Sequence, residues 1–274
     1  MKQDNIKWDH PETMKSKGSI LLVHGTAAMN LEGNIPGISF EEYPLGAISL
    51  YEKLSRILTS KGWSTLRYTR SGVYQAKINW DEYMKVDFKV IIEQLNRIFN
   101  IMPSDKPRII LCWSGGSLHL PHLPLNEADG VVIIGGLSTK RFHNVIMKAK
   151  SLEEYKEYIR ETEAIEKMSY EEIMKINKPY GLDGPLIRFW QENKLNDNWT
   201  YFKKYVDLPI LILHGSDDPE VSVSQAHLWK QLLPYHNITL VEKSNGHHFL
   251  GNDRERGAQV VGLEVEKWLN QYKS

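Results

Sequence analysis

The stretch that most constrains this 274-residue chain is Arg108 to Ser117, reading RIILCWSGGS. Arg108 to Cys112 reads as a buried strand, with Ile109, Ile110 and Leu111 in a short apolar run. It leads into Cys112-Trp113-Ser114-Gly115-Gly116, a small-x-Ser-x-small pattern. A serine carried on a strained strand-to-helix turn, a nucleophile elbow, needs small residues two before and two after it. Cys112 and Gly116 fill those positions. Alone the pattern is loose, because an ordinary Ser-Gly-Gly loop after a strand satisfies it too. The rest of the chain must decide.

Taken in order, residues 1–18 are polar and give no strong strand signal. Ser19 to Val23 (SILLV) reads as a buried strand, followed by His24-Gly25-Thr26 and a long loop rich in Gly, Asn and Pro. Loops of that length inside a compact domain are usually functional. Residues 46–60 carry Leu50, Leu54, Ile57 and Leu58 at a helical period, and Lys61-Gly62 ends that helix. Ser64 to Tyr68 (STLRY) is the next strand, and Val86 to Phe99 is again helical. After the Ser114 turn, prolines break HLPHLPLNEADG, and Val131 to Ile134 (VVII) is a short apolar strand. Residues 138–207 change character: they read as helices at 151–167, 169–177, 184–193 and 198–206, with no strands and dense charge. The strand pattern resumes at Pro209 to Leu213 (PILIL), followed by His214-Gly215-Ser216-Asp217-Asp218. A helix at 222–233, a strand near Ile238 to Val241, Asn245-Gly246-His247-His248 and a closing helix complete the chain.

Strands alternating with helices imply a mostly parallel sheet with helices on both faces. In such sheets, sites gather outside the carboxyl ends of the strands. Thr26, Ser114, Asp218 and His247 each follow an expected strand, so all four fall on that edge. A serine hydroxyl is a poor nucleophile until a histidine takes its proton and an acid fixes the histidine's tautomer. Ser114, Asp218 and His247 occur in an order known for such a triad. Each alone has a plainer reading: Asp218 as a turn residue before Pro219, His247 as a loop histidine.

Composition narrows the classes further. Lys plus Arg and Asp plus Glu are both 34, and no basic block suggests nucleic acid or an anionic membrane. One cysteine rules out an internal disulfide framework. The N-terminal stretch lacks the apolar run of a signal peptide, and no stretch approaches a membrane span. The expectation is a cytoplasmic chain that does not engage a membrane.

With these motifs assembled, the chain resembles an α/β-hydrolase of the serine esterase type. HGTAAMNLEGNIPG resembles the HGSGPxDRDGN loop of a bacterial esterase subgroup related to dienelactone hydrolases and serine aminopeptidases. TLRYTRSGV resembles that group's LRYDKRGVG turn, and HGSDDPEVSV and NGHHFLG resemble its acid and histidine segments. The chain departs from the pattern at Asn30-Leu31-Glu32, at Thr69 and at Cys112. The resemblance implies an α/β-hydrolase core at 1–137 and 208–274, with a helical cap at 138–207 inserted before the acid-bearing strand. It implies Ser114 as nucleophile, Asp218 (runner-up Asp217) as acid and His247 (runner-up His248) as base. The acid follows from the family's three-residue offset from the HG glycine, and the histidine from alignment on Leu250-Gly251. The oxyanion hole would use the backbone N–H groups of Thr26 and Gly115. Trp113, Trp190 and Trp199 are candidates for an apolar substrate pocket.

Competing sites are weaker. His119 and His122 could be metal ligands, but Pro121 interrupts the helix and no carboxylate accompanies them. Cys112 reads as a core thiol rather than a nucleophile. No phosphate-binding glycine loop is present, and neither a cofactor nor a metal is expected. The expected partner is a small-molecule ester, bulky or a lactone, cleaved through an acyl-enzyme. Alternatives are a peptidase, amidase or thioesterase on the same triad, or a silent binding protein with the same fold. The oligomeric state is not legible.

Overall fold

Strands that read as unbroken apolar runs can be satisfied only inside a sheet covered on both faces. SILLV, the run ending in Cys112, VVII and the run from Ile210 are such strands, and the structure, a computed structural model, places them there. It describes residues 6–12, 15–25, 28–37, 49–83, 85–86, 88–138, 198–248, 250 and 254–272. In chain order the strands are β1 (Ile6–Asp9), β2 (Ser19–Val23), β3 (Ser64–Tyr68), β4 (Arg108–Trp113), β5 (Gly130–Ile134), β6 (Ile210–Gly215) and β7 (Ile238–Lys243). They form one seven-stranded sheet in the order β1-β3-β2-β4-β5-β6-β7. All pairings are parallel except that of β1 with β3.

Alternate side chains of the central strands feed two cores. One face, with Ile20, Leu22, Ile109, Leu111, Val132 and Leu211, packs on α1 (Leu50–Ser60) and α6 (Arg254–Leu269). The other, with Leu21, Val23, Ile110, Cys112, Val131 and Ile212, packs on α3 (Phe88–Asn100) and α5 (Ser224–Leu232). Each fully buried aliphatic side chain contributes about 1.5–3 kcal/mol, so these layers fix the strand ends on which the site stands. The short helices α2 (Trp80–Tyr83) and α4 (Asn198–Phe202) lie in the connections.

The sequence reading differs from the structure at several elements, the short α2 among them. β1 gave no signal: IKWD is short, half exposed, and held by Arg67, buried on β3, whose guanidinium pairs with Asp9 at 2.7 Å. The segment after Ser114 is a 3₁₀ helix, Ser114–His122, and Pro121 within it has no N–H to give an α-helical ladder. The helix expected at 198–206 is the short α4. The three helices expected at 151–167, 169–177 and 184–193 lie outside the described residues, as do residues 139–197 of the expected cap. The two described ends of that segment meet: the Trp199 N–H donates to the Ser138 carbonyl at 3.1 Å. Ser138 is itself tied to α5, its N–H and hydroxyl both donating to Gln225 Oε1 at 2.9 and 2.7 Å.

Candidate active site

The strand order reverses direction at β2: β3 follows β2 on one side and β4 lies on the other. A crevice opens at such a switch point beyond the carboxyl ends of the two strands. Gly25 leaves β2 there, and Ser114 leaves β4. They are so close that a Cβ built on Gly25 would lie 3.2 Å from Ser114 Cβ and 3.8 Å from its Oγ. The turn after β3 reaches the same place, with Arg70 Nη2 donating to the Gly25 carbonyl at 2.7 Å.

Ser114 has φ 51°, the left-handed region that a serine occupies only at a cost of about 1–3 kcal/mol. The small flanking residues now have a steric reason. A Cβ on Gly116 would lie 2.6 Å from the His24 carbonyl and 3.0 Å from that of Val23. Cys112 is fully buried and its Sγ–H donates to the Val132 carbonyl at 3.4 Å. Burial pushes that thiol well above its ordinary value, which keeps it protonated and inert. Gly115 follows Ser114 at the head of the 3₁₀ helix, its N–H placed next to the serine in sequence. Thr26 lies outside the described residues.

The loops after β6 and β7 bring a carboxylate and an imidazole together. The Asp218 side chain is fully buried, and its Oδ1 accepts the N–H groups of Glu220 and Val221 at 2.8 and 2.9 Å. Its Oδ2 meets His248 Nδ1 at 2.8 Å. Burial alone would raise its pKa. Hydrogen bonds from His214 and His248, the His248 charge and the Val221 N–H outweigh that and hold it well below the usual carboxylate range. A carboxylate only accepts, so Nδ1 of His248 carries the proton and Nε2 is the basic nitrogen.

The structure brings Asp218 together with His248 and does not bring His247 to it. His247 is exposed, and its Nδ1 lies 3.2 Å from the main-chain oxygen of Asp217. The reason is a close backbone crossing. A Cβ on Gly215 would lie 2.1 Å from the Gly246 oxygen and 2.5 Å from that of His247. The main chain of 246–247 is pressed against the end of β6, the His247 side chain turns outward, and the next residue turns in over the acid. Asp217, likewise, is exposed, and its carboxylate accepts the Ser216 hydroxyl at 3.0 Å.

Two further residues lock the pair to the elbow. Trp113, expected to line a pocket, is 2% exposed within the core, and its Nε1–H donates to the His248 carbonyl at 3.3 Å. As the residue before Ser114, it is a strut from the elbow to the loop that carries His248. Gly135 follows β5 with φ 51°, and a Cβ there would lie 3.1 Å from His248 Nδ1 and 3.3 Å from Asp218 Oδ2. Sequence reasoning missed Gly135, Arg70 and His214, although each stands in a motif that could have named it: the glycine pair after VVII, the TRSG turn, and the LHG that repeats the VHG of β2. Of the other expected pocket residues, Trp190 lies outside the described residues. Trp199 is half buried on α4, with Lys203 Nζ 4.7 Å above its ring.

His24, His119 and His122 are structural in their surroundings. His24 is buried between the rings of Tyr51 and Tyr68, at centroid distances of 4.7 and 4.5 Å. Burial, then the Arg70 charge, holds it well below its ordinary pKa, hence neutral. His119 and His122 both pack on Phe88, each at 5.2 Å. Among the described residues, no group of three or more His, Cys, Asp or Glu side chains is placed to hold a metal. No described helix is long and apolar enough to cross a membrane.

No protein-family model matches the sequence, and no curated protein matches it. Solved structures do resemble the fold. Est1E from Butyrivibrio proteoclasticus, described with bound ferulic acid, superimposes with a TM-score of 0.61 at 14% identity, over 98% of this chain and 94% of its own. A soluble variant of a monoglyceride lipase from Saccharomyces cerevisiae, in complex with a substrate analogue, gives 0.60 at 14% identity over 98% and 92%. A monoacylglycerol lipase from Paleococcus ferrophilus gives 0.55 at 17% identity over 98% of both chains. The mostly parallel sheet, its flanking helices and these likenesses define the fold as that of the α/β-hydrolases.

Proposed function

We propose that the protein is a serine hydrolase that cleaves a carboxylic ester through an acyl-enzyme, with Ser114 as nucleophile, His248 as base and Asp218 as acid. One observation carries this reading: a buried Asp218–His248 pair, hydrogen-bonded at 2.8 Å, is tied through Trp113 to a serine held at φ 51°. In the first half-reaction Ser114 Oγ attacks the acyl carbon while His248 Nε2 takes the hydroxyl proton. The carbonyl π-bond opens to an oxyanion, which the Gly115 N–H and the N–H of Thr26 would receive. The carbon–oxygen bond to the alcohol then breaks, and His248 returns its proton to that oxygen. Water repeats the sequence in reverse, releasing the acid and restoring Ser114. Asp218 keeps its charge throughout and stabilises the imidazolium.

The ester class is favoured by the neighbours in structure, since esterases and monoacylglycerol lipases are prominent among them. We place residues 138–207 over the carboxyl edge as a cap, because its described ends, Ser138 and Trp199, leave and return beside Leu137 and α5. Trp199 would then face an acyl or alcohol group, and a bulky apolar ester or lactone is the substrate class.

A fluorophosphonate probe tests the nucleophile directly. The wild type should be labelled on Ser114, and Ser114→Ala should abolish both labelling and hydrolysis of p-nitrophenyl esters while the fold survives. A labelled Ser114→Ala variant would move the role to another residue. An unlabelled wild type would leave a binding protein with a hydrolase fold. A comparison of esters, aminoacyl amides and thioesters then fixes the acyl-transfer class.

A further inference from the structure

His248 is not the only histidine against Asp218. His214, fully buried near the end of β6, points its Nε2 at the Val221 carbonyl at 2.8 Å and lies 3.4 Å from Asp218 Oδ2. That oxygen is the one that meets His248 Nδ1 at 2.8 Å. We infer that His214 is a positioning residue that holds the Asp218 carboxylate in the rotamer from which Oδ2 faces His248.

The protonation pattern follows from the partners. The Val221 carbonyl can only accept, so His214 Nε2 must carry a proton. Its Nδ1 is buried and has no hydrogen-bond partner among the described residues. A proton there would be a buried donor without an acceptor, which is costly. The ring is therefore held as the Nε2–H tautomer, with one N–H directed at Val221 and leaning towards the carboxylate.

That single N–H closes a ring of contacts. Asp218 Oδ1 accepts the N–H groups of Glu220 and Val221, and the Val221 carbonyl accepts from His214. The turn from 218 to 221 is thus gripped at both ends by the strand it leaves. If the His214 N–H is removed, Val221 loses its anchor and Oδ2 loses its second donor. The carboxylate then rests on the Glu220 and Val221 N–H groups and on His248 alone, so its rotamer is less tightly fixed. Orientation errors of about 1 Å near a reacting centre can cost on the order of 100-fold.

The inference rests on the acyl-transfer reading for its kinetic consequence but not for its geometry, and the experiment separates the two. The far-downfield proton NMR signal of His248 Nδ1–H, identified by its loss in His248→Ala, reports the Asp218–His248 bond without any substrate. In His214→Leu that signal should shift or broaden, and kcat should fall about 10- to 100-fold with KM unchanged. His214→Gln can place an amide N–H where Nε2 stands, and should restore the signal and most of kcat. A His214→Leu variant with wild-type signal and wild-type kcat would overturn the inference. Equal losses in Leu and Gln variants, tracking an equal fall in Tm, would overturn it too, because a merely structural residue behaves that way. If the wild type hydrolyses nothing and takes no fluorophosphonate, the acyl-transfer reading fails, and the NMR comparison alone decides the role of His214.

Discussion

Asp217 and His247 meet at the surface; Asp218 and His248, each one residue further on, meet in the interior. The outer contact joins the ring to a main-chain oxygen at 3.2 Å, and the Asp217 carboxylate is turned to Ser216. The inner contact joins ring to carboxylate at 2.8 Å, with the Asp218 side chain fully buried and two backbone N–H groups on its other oxygen. Identical residue types therefore have opposite capacities. Exposed polar contacts are screened and worth little. In the interior the same attraction is stronger, and the carboxylate fixes which ring nitrogen carries the proton. The difference comes from the Gly215–Gly246 crossing, which sets which side of the loop faces inward.

The sharpest way to break this comparison is to delete each member. On the proposed mechanism His248→Ala should lower kcat by about 10⁴- to 10⁶-fold, because residues of a triad act as a unit. Asp218→Asn should cost about 10⁴-fold, since an amide would select the wrong tautomer. His247→Ala and Asp217→Asn should stay within about threefold of the wild type, as surface changes do. Ester hydrolysis at saturating substrate measures all four. The reverse ranking in either pair would hand the role to the outer residue.

A smaller effect probes how tightly the inner pair is enclosed. Gly135 is left-handed, and a Cβ there would crowd His248 Nδ1 at 3.1 Å and Asp218 Oδ2 at 3.3 Å, so the pair would have to give by a few tenths of an ångström. Gly135→Ala should cost about 1–2 kcal/mol of stability through the left-handed backbone. It should also lower kcat about tenfold by displacing the ring. A variant that lost stability but kept kcat would show that the His248 ring moves aside without harm.

These residues also mark what the sequence could and could not disclose. The apolar runs announced β2, β4, β5 and β6 because strands buried on both faces cannot alternate with polar residues. The serine turn was legible because steric crowding at Gly116 leaves a trace in residue type. The choice between His247 and His248 was not legible in the same way. It depends on a contact between Gly215 and Gly246, thirty-one positions apart, and alignment on Leu250-Gly251 points to His247, whereas the histidine that meets the Asp218 carboxylate is His248. Trp113 shows the same limit. Its residue type suited a pocket wall, while its place on β4 made it a buried strut to the His248 loop. β1 was hidden because one edge strand of four residues, held by Arg67 and Asp9, needs little apolar character.

A last effect, on stability alone, tests burial itself. Burial, helped by the Arg70 charge, brings the His119 imidazole down to about 3, and its Nδ1 lies 3.2 Å from the Gly116 carbonyl. In the unfolded chain a histidine takes its proton near pH 6.5. Between these values the unfolded state binds a proton that the native state refuses, so stability rises with pH across the window. The contribution is complete above about pH 6.5 and is lost progressively as pH falls towards the folded value. His119→Asn keeps an N–H for the Gly116 carbonyl and removes the titration. The stability of the wild type relative to this variant should therefore fall with decreasing pH, by at most about 1.4 kcal/mol per unit. Urea midpoints from pH 7 to pH 4 measure it. A difference that stays flat across that range would mean that His119 is protonated as readily in the folded protein as in the unfolded chain, and that its stack on Phe88 does not exclude water.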